Sequence, residues 1–140
     1  MTGPRVLVAT EHHCPAVALR HAAALAGRDG EVVLASVLVV PHAQPLEASL
    51  DRAVADACAV LDAGEKAAAG APVFDTRLLR ARSFSEGVLE ALDAEPFDVL
   101  VLEAAAGGLR NGMRTQLETL LERARATVVL VRPAPPPLSS

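Results

Sequence analysis

The densest group of reactive side chains in the sequence consists of four consecutive residues near its start, Glu11, His12, His13 and Cys14. Zn²⁺ accepts carboxylate, imidazole and thiolate ligands, and a cysteine at a helix N-terminus beside histidines becomes a nucleophile when its pKa is lowered. Consecutive residues rarely converge on one ion, however, and the ligand spacing of a structural zinc site is missing. Two interpretations remain: a small metal- or thiol-dependent enzyme that also uses Glu103, or a solvated loop with Cys14 packed at the start of a helix.

Three arginines lie at the end of a predicted strand further along the chain: Arg77, Arg80 and Arg82. Side chains alternate along a strand, which sends Arg80 and Arg82 to the same side. They would meet an anion, a partner subunit or solvent there. Solvent is the simplest expectation, because charges at a sheet edge discourage aggregation. Cys58 lies on a predicted helix and is interpreted as a small core residue.

The composition restricts the class of protein. With 140 residues, 51% of them hydrophobic and 2% aromatic, the chain is long enough for one domain with a core of Ala, Val and Leu. A formal net charge of -4 gives no basic surface, so we expect neither nucleic acid nor a membrane as partner. No apolar run approaches the roughly 20 residues of a membrane span. The two cysteines are far apart, which predicts no disulfide framework and favours the cytoplasm.

Strands and helices alternate along the sequence. Five runs rich in Val and Leu predict strands at residues 5–9, 31–39, 72–79, 98–102 and 127–132. Several of these runs are apolar throughout, such as VVLASVLVV, which is typical of parallel strands covered on both faces. The alternation predicts a doubly wound α/β fold, a five-stranded parallel sheet with helices on both faces. We expect residues 1–133 to form this domain and the proline-rich residues 134–140 to form a disordered tail.

The segments between the predicted strands have helical periodicity. Pro15 suits the first turn of a helix that ends near Gly27. Ser83 or Ser85 is the predicted N-cap of the third helix. The segment Thr115-Gln-Leu-Glu118 matches a capping box, which predicts that the fourth helix begins there. The second helix is predicted from an apolar stripe at spacings of three or four, made up of Leu46, Leu50, Val54, Ala57 and Leu61.

Two stretches of the C-terminal half carry a resemblance to a known family. VLEALDAEPFDVLVLEAAAGG and TQLETLLERARATVVLVRP resemble the fourth and fifth strands of universal stress proteins with their neighbouring helices and Gly-rich loop. The resemblance extends from about Pro4 to Pro133. It implies a Rossmann-like fold of the adenine nucleotide alpha hydrolase type with strand order 3-2-1-4-5. It also implies a homodimer through the last strands and, in one branch, ATP at the carboxyl ends of strands one and four.

The ATP-binding branch carries spaced glycines after strand four, so that backbone amides approach the phosphates, followed by Ser or Thr. This chain departs from that pattern. By the resemblance, the glycine positions fall on Glu103, Ala106 and Arg114, and only the hydroxyl residue, Thr115, is kept. The charge of Glu103 beside phosphates would weaken binding by on the order of 1 kcal/mol. A turn in a shifted register is the alternative, and ATP would then be held by Thr10, Glu11, Gly107, Gly108, Arg110, Arg114 and Thr115.

The last predicted strand has no following element to cover its edge. An exposed apolar edge is a liability in a monomer, and antiparallel pairing with a second copy removes it. We therefore predict a homodimer through Val128, Val129, Leu130 and Val131. The first hypothesis is a non-catalytic, homodimeric stress or regulatory protein with lost or weakened ATP binding and no cofactor. Such a protein would act through contacts with its second copy or with a protein partner. The alternatives are an ATP-binding protein with a rebuilt loop and the enzyme at Glu11 to Cys14.

Overall fold

A computed structural model of the chain describes residues 3–68, 73–104 and 111–133. Five strands and four helices alternate within these ranges: β1 (Arg5–Thr10), α1 (Ala16–Ala26), β2 (Glu31–Val39), α2 (Asp51–Ala67), β3 (Phe74–Ala81), α3 (Phe84–Ala94), β4 (Val99–Glu103), α4 (Asn111–Arg123) and β5 (Thr127–Val131). No helix in these ranges is long and apolar enough to cross a membrane. The tail predicted at residues 134–140 lies outside the described residues.

The strands form one parallel sheet in the order β3-β2-β1-β4-β5. This order confirms the doubly wound α/β fold and the strand order implied by the resemblance. β1 lies at the centre, where Val6 pairs with Val32 of β2 and with Val99 of β4. The predicted strands are found in their places with small shifts, the largest in β3, which runs from Phe74 to Ala81.

Apolar side chains cover both faces of the three central strands, because β1, β2 and β4 are apolar at nearly every position. On one face α1 and α2 pack against the sheet, and on the other α3 and α4 do so. The first face buries Val6, Val8, Leu34 and Val101, and the second buries Leu7, Val33, Val37 and Leu100. The prediction that these three strands are central is confirmed, but they supply 13 of the 29 buried hydrophobic residues in the described ranges, and the helices, the loops and the two edge strands supply the rest.

Two helical glycines allow helices to lie close to β2 from opposite faces. A Cβ atom at Gly64 of α2 would lie 2.2 Å from Cδ2 of Leu34, which is fully buried. A Cβ atom at Gly87 of α3 would lie 2.8 Å from Cγ1 of Val37. Interiors are close-packed, so a side chain at either position displaces the core residue beneath it.

Two predicted helix starts are wrong. The second helix begins at Asp51, so Leu46 and Leu50 precede it, although both still pack against the core. The fourth begins at Asn111, which places Thr115 inside the helix and not at its N-cap. The capping pattern is a local preference, and an additional helical turn formed by residues 111–114 overrides it.

The other helix ends follow the sequence pattern. Ser83 is the N-cap of α3, and its hydroxyl accepts a hydrogen bond from the backbone N of Glu86 at 3.2 Å. Gly27 ends α1 with a φ of 65°, a conformation that favours glycine. The prediction for Cys58 is wrong, because this residue is exposed on α2. Its neighbour Ala57 is the buried one, and consecutive residues on a helix point in different directions.

Candidate functional site

The last residue of β4 places a carboxylate at the start of a helix. Glu103 follows Val101 by two positions, so its side chain lies on the same face of the sheet as α1. Its Oε1 atom accepts a hydrogen bond from the backbone N of Ala18 at 2.8 Å. The side chain is 7% exposed. Ala18 is the third residue of α1, and its N–H has no partner within the helix. Glu103 therefore caps α1 from a strand that lies 85 residues away in sequence.

The turn between β1 and α1 is held by the end of β1. Thr10 is buried, and its Oγ1 atom donates a hydrogen bond to the carbonyl of His13 at 2.6 Å. This bond brings His13 to the end of β4, where its Nε2 atom lies 3.3 Å from Oε2 of Glu103. The neighbouring Nε2 atom of His12 lies 3.2 Å from Oε1 of Glu11. Each histidine thus faces one carboxylate, and the two pairs are separate.

The environment of Cys14 does not activate its thiol. Burial raises the pKa of Cys14, and the negative charge of Glu103 raises it further. A nucleophilic or metal-binding cysteine needs the opposite shift, because the thiolate is the reactive form. In the part of the chain that the structure describes, no group of three or more His, Cys, Asp or Glu side chains is arranged to hold a metal ion.

An open cleft lies beside this turn at the carboxyl ends of β1 and β2. One wall contains Glu11, His12 and the residues from Val37 to Val39, and the other is the first half of α2, including Asp56 and Ala57. Doubly wound folds bind ligands beyond the carboxyl ends of their strands at the point where the strand order reverses, which here lies between β1 and β4, so this cleft lies beside that point. Among the described residues, those that line this cleft and can ionise are Glu11, Asp56 and His12, so this part of the chain offers phosphate groups no cation with a permanent charge.

The structure brings together only part of the predicted ATP site. Thr10 and Glu11 lie at the end of β1, next to the crevice. Arg114 and Thr115 lie on exposed positions of α4, where the carbonyl of Thr115 accepts a hydrogen bond from the Thr119 hydroxyl at 3.1 Å. The remaining members of the predicted site, Gly107, Gly108 and Arg110, and also Ala106, lie outside the described residues.

The arginines of the β3 region hold other parts of the chain. Arg77 pairs with Asp75 at 2.5 Å and with Glu95 at 3.3 Å. Arg80 lies inside the strand, and Arg82 directly follows it. Both donate hydrogen bonds to backbone carbonyls of the connection between β2 and α2. The expectation that solvent surrounds Arg80 and Arg82 is therefore wrong in part: both are half-buried, because their guanidinium groups reach the connection between β2 and α2.

The outer edge of β5 carries an apolar surface. Within the described sheet, β5 pairs only with β4. Val128 and Val129 are partly buried, Leu130 is 43% exposed, and Val131 is buried against the α1 face. On the preceding helix, Leu121 is 60% exposed.

No protein-family model matches this sequence, and no curated protein matches it either. Solved structures do. The universal stress protein from Lactobacillus plantarum has a TM-score of 0.70 at 19% identity, over 94% of this chain and 99% of that one. The universal stress protein from Archaeoglobus fulgidus in complex with dAMP has a TM-score of 0.70 at 14% identity, over 93% and 98% of the two chains. A member of the family from Burkholderia pseudomallei has a TM-score of 0.67 at 22% identity, over 91% and 94%. The chain thus has the universal stress protein fold.

Proposed function

Since the chain folds as universal stress proteins do, we propose that it is a divergent, non-catalytic member of that family, cytoplasmic and homodimeric, with lost or weakened ATP binding. It acts through contacts with its second copy or with a protein partner. The buried carboxylate of Glu103 carries this proposal. It places a fixed negative charge at the end of β4, where the resemblance expects a glycine in ATP-binding members.

The geometry of Glu103 supports the loss of nucleotide affinity. Its carboxylate is bound to the N-terminus of α1, so it cannot turn away from an incoming phosphate without leaving the Ala18 N–H unpaired. Phosphates would also meet Glu11 and Asp56 at the neighbouring cleft. Like charges repel by on the order of 1 kcal/mol or more at partly buried positions.

Isothermal titration calorimetry with Mg-ATP tests this part of the proposal. We expect weak or undetectable binding by the natural chain. Glu103→Gln keeps the size of the side chain and removes its charge, so it should bind ATP roughly fivefold to tenfold more tightly, the equivalent of about 1 kcal/mol. A dissociation constant of about 1 μM or below for the natural chain, equivalent to about -8 kcal/mol, would contradict the proposal.

The second candidate is an ATP-binding protein with a rebuilt phosphate loop. The structural neighbour from Archaeoglobus fulgidus is described in complex with dAMP, which shows that the fold accommodates an adenine nucleotide in that protein. The same titration decides between the two. Tight binding that Arg114→Ala abolishes would establish this candidate, since Arg114, in the first turn of α4, is a member of the predicted phosphate site. The enzyme alternative gains no support from the described residues, because the Cys14 thiol has a raised pKa and the two histidines face separate carboxylates.

The homodimer rests on the free edge of β5. Two copies that pair their β5 strands in antiparallel orientation satisfy both edges at once and cover Leu130. We expect sedimentation at tens of micromolar to give a dimer, and Leu130→Lys to give a monomer. Leu25→Lys is the matched control, because Leu25 is 46% exposed on α1, away from the edge. A natural chain that sediments as a monomer would refute this interface.

A further inference from the structure

The connection between β2 and α2 is built from two successive turns that each begin with proline. The backbone N of Gln44 donates to the carbonyl of Pro41 at 3.0 Å, and that of Ala48 donates to the carbonyl of Pro45 at 3.0 Å. Hydrogen bonds between residues three apart define two compact turns. We call residues 41–50, which contain both turns and end at the start of α2, the β2–α2 strap.

Two arginines attach this strap to β3. The Nη1 atom of Arg82 donates to the carbonyls of Pro41 and Gln44, both at 2.7 Å, and so binds the first turn at both ends. Arg80 donates to the carbonyl of Ala48, the last residue of the second turn. Among the described residues neither arginine forms an ion pair with an acid, so both bond to backbone carbonyls of the strap. Hydrogen bonds from charged donors are about twice as strong as neutral ones.

The strap covers a separate part of the core. Leu38, Val40 and Ala57 form a small buried cluster, and Leu46 and Leu50 of the strap pack on it. Leu50 has a φ of 41°, in the left-handed region that non-glycine residues rarely adopt. Conformations of this kind persist only where the surroundings enforce them. The packing of Leu50 on the cluster therefore holds the end of the strap in a backbone conformation that leucine disfavours, and the arginines hold the two turns before it.

We infer that the β2–α2 strap is a conformational device that opens as a unit when Arg82 releases it, while the sheet stays folded. The strap joins the two walls of the open cleft, since β2 supplies one wall and α2 the other. Its release frees the first turn of α2 to move away from Val37 to Val39 and widens the cleft. Arg82 acts as a positioning residue through the strap and does not line the cleft. This inference does not depend on ATP binding or on the dimer.

Hydrogen exchange of the natural chain and of Arg82→Gln tests the inference. We expect the Gln44 and Ala48 amides to exchange roughly tenfold faster or more in the variant, the effect of losing a hydrogen bond to a charged donor. Amides of β1 and β2 should keep their rates within about twofold, because local opening does not expose them. Glutamyl endopeptidase provides a second measurement: cleavage after the exposed Glu47 should accelerate to a similar extent.

Arg77→Gln is the matched control, because Arg77 lies on β3, the strand that Arg82 follows, and contacts Asp75 and Glu95 instead of the strap. It should leave exchange of the strap amides and cleavage after Glu47 unchanged. Two results would overturn the inference. In one, Arg82→Gln leaves strap exchange and cleavage as they are in the natural chain. In the other, the amides of the strap and of β1 and β2 accelerate together, which would show that the strap opens only with the whole domain.

Discussion

Removal of the Glu103 carboxylate tests whether a strand residue stabilises α1. Glu103→Ala deletes the acceptor of the Ala18 N–H, and Ala18 is fully buried, so water does not readily replace the lost partner. Glu103→Gln keeps an oxygen acceptor at the same place and removes the charge. The two variants therefore separate the hydrogen bond from the attraction between the carboxylate and the helix N-terminus.

The size of the effect follows from three contributions. Loss of an N-cap acceptor costs about 1 kcal/mol, and loss of a negative charge near a helix N-terminus costs up to about 2 kcal/mol at partly buried positions. Relief of the desolvation of a carboxylate that is only 7% exposed acts in the opposite direction. We expect Glu103→Ala to lower the free energy of unfolding by about 2 kcal/mol and Glu103→Gln by about 1 kcal/mol. Both variants stay folded, because domains have roughly 5–15 kcal/mol of stability.

Urea denaturation followed by circular dichroism measures both variants, since the sequence contains no Trp or Tyr for fluorescence. Acetate in the buffer has the size and charge of the group that Glu103→Ala deletes. It should restore part of the stability of that variant and leave the natural chain unchanged. If Glu103→Ala were as stable as the natural chain, the cost of burying the carboxylate would equal the gain from the contact, and the capping argument would be refuted.

Three further predictions concern other parts of the molecule. Gly64→Ala should lower the free energy of unfolding by about 1–2 kcal/mol, because its Cβ atom collides with the side chain of Leu34 on β2. Gly112→Ala is the control: its Cβ atom meets nothing within 4 Å, so the same denaturation assay should show no change or a gain in stability. Iodoacetamide should modify exposed Cys58 faster than Cys14, whose pKa is raised, and equal rates in mass spectrometry would contradict this. Hydrogen bonds from Arg5 and Arg77 lower the pKa of Glu95. The stability that these bonds contribute is fully present above the ordinary Glu pKa of about 4.3 and is lost as the pH falls through the lower pKa of the folded chain. Glu95→Gln should therefore lose less stability on acidification than the natural chain.

Much of the fold could be predicted because apolar runs and the residues that begin or end helices are local signals in the sequence. Strands that are covered on both faces must be apolar at nearly every position, which marked the central strands such as VVLASVLVV in the sequence itself. Gly27 and Ser83 marked helix ends in the same way. The order of the strands came from the resemblance to universal stress proteins and not from periodicity.

The wrong predictions for the strap leucines and for Arg80 and Arg82 share a physical cause: they depended on contacts between distant residues. The stripe that includes Leu46 and Leu50 was interpreted as helical, but these residues reach the core from the strap, which Arg80 and Arg82 hold in place. The sequence indicated that Glu103 replaces a glycine. It gave no signal that the carboxylate caps α1, because that contact joins residues 85 positions apart.

The position of β1 at the centre of the sheet has a consequence for the order in which the chain folds. β1 is made early, but one of its two neighbours, β4, follows much later, and Arg5 N donates to the Asp98 carboxylate across 93 residues. During synthesis, β1 can pair with β2 while its other edge, which pairs with β4 from Val6 to Ala9 in the folded chain, stays open. Long-range parallel pairing is slow, and unpaired apolar edges attract other chains. The emerging chain is therefore exposed to aggregation between the synthesis of β2 and that of β4.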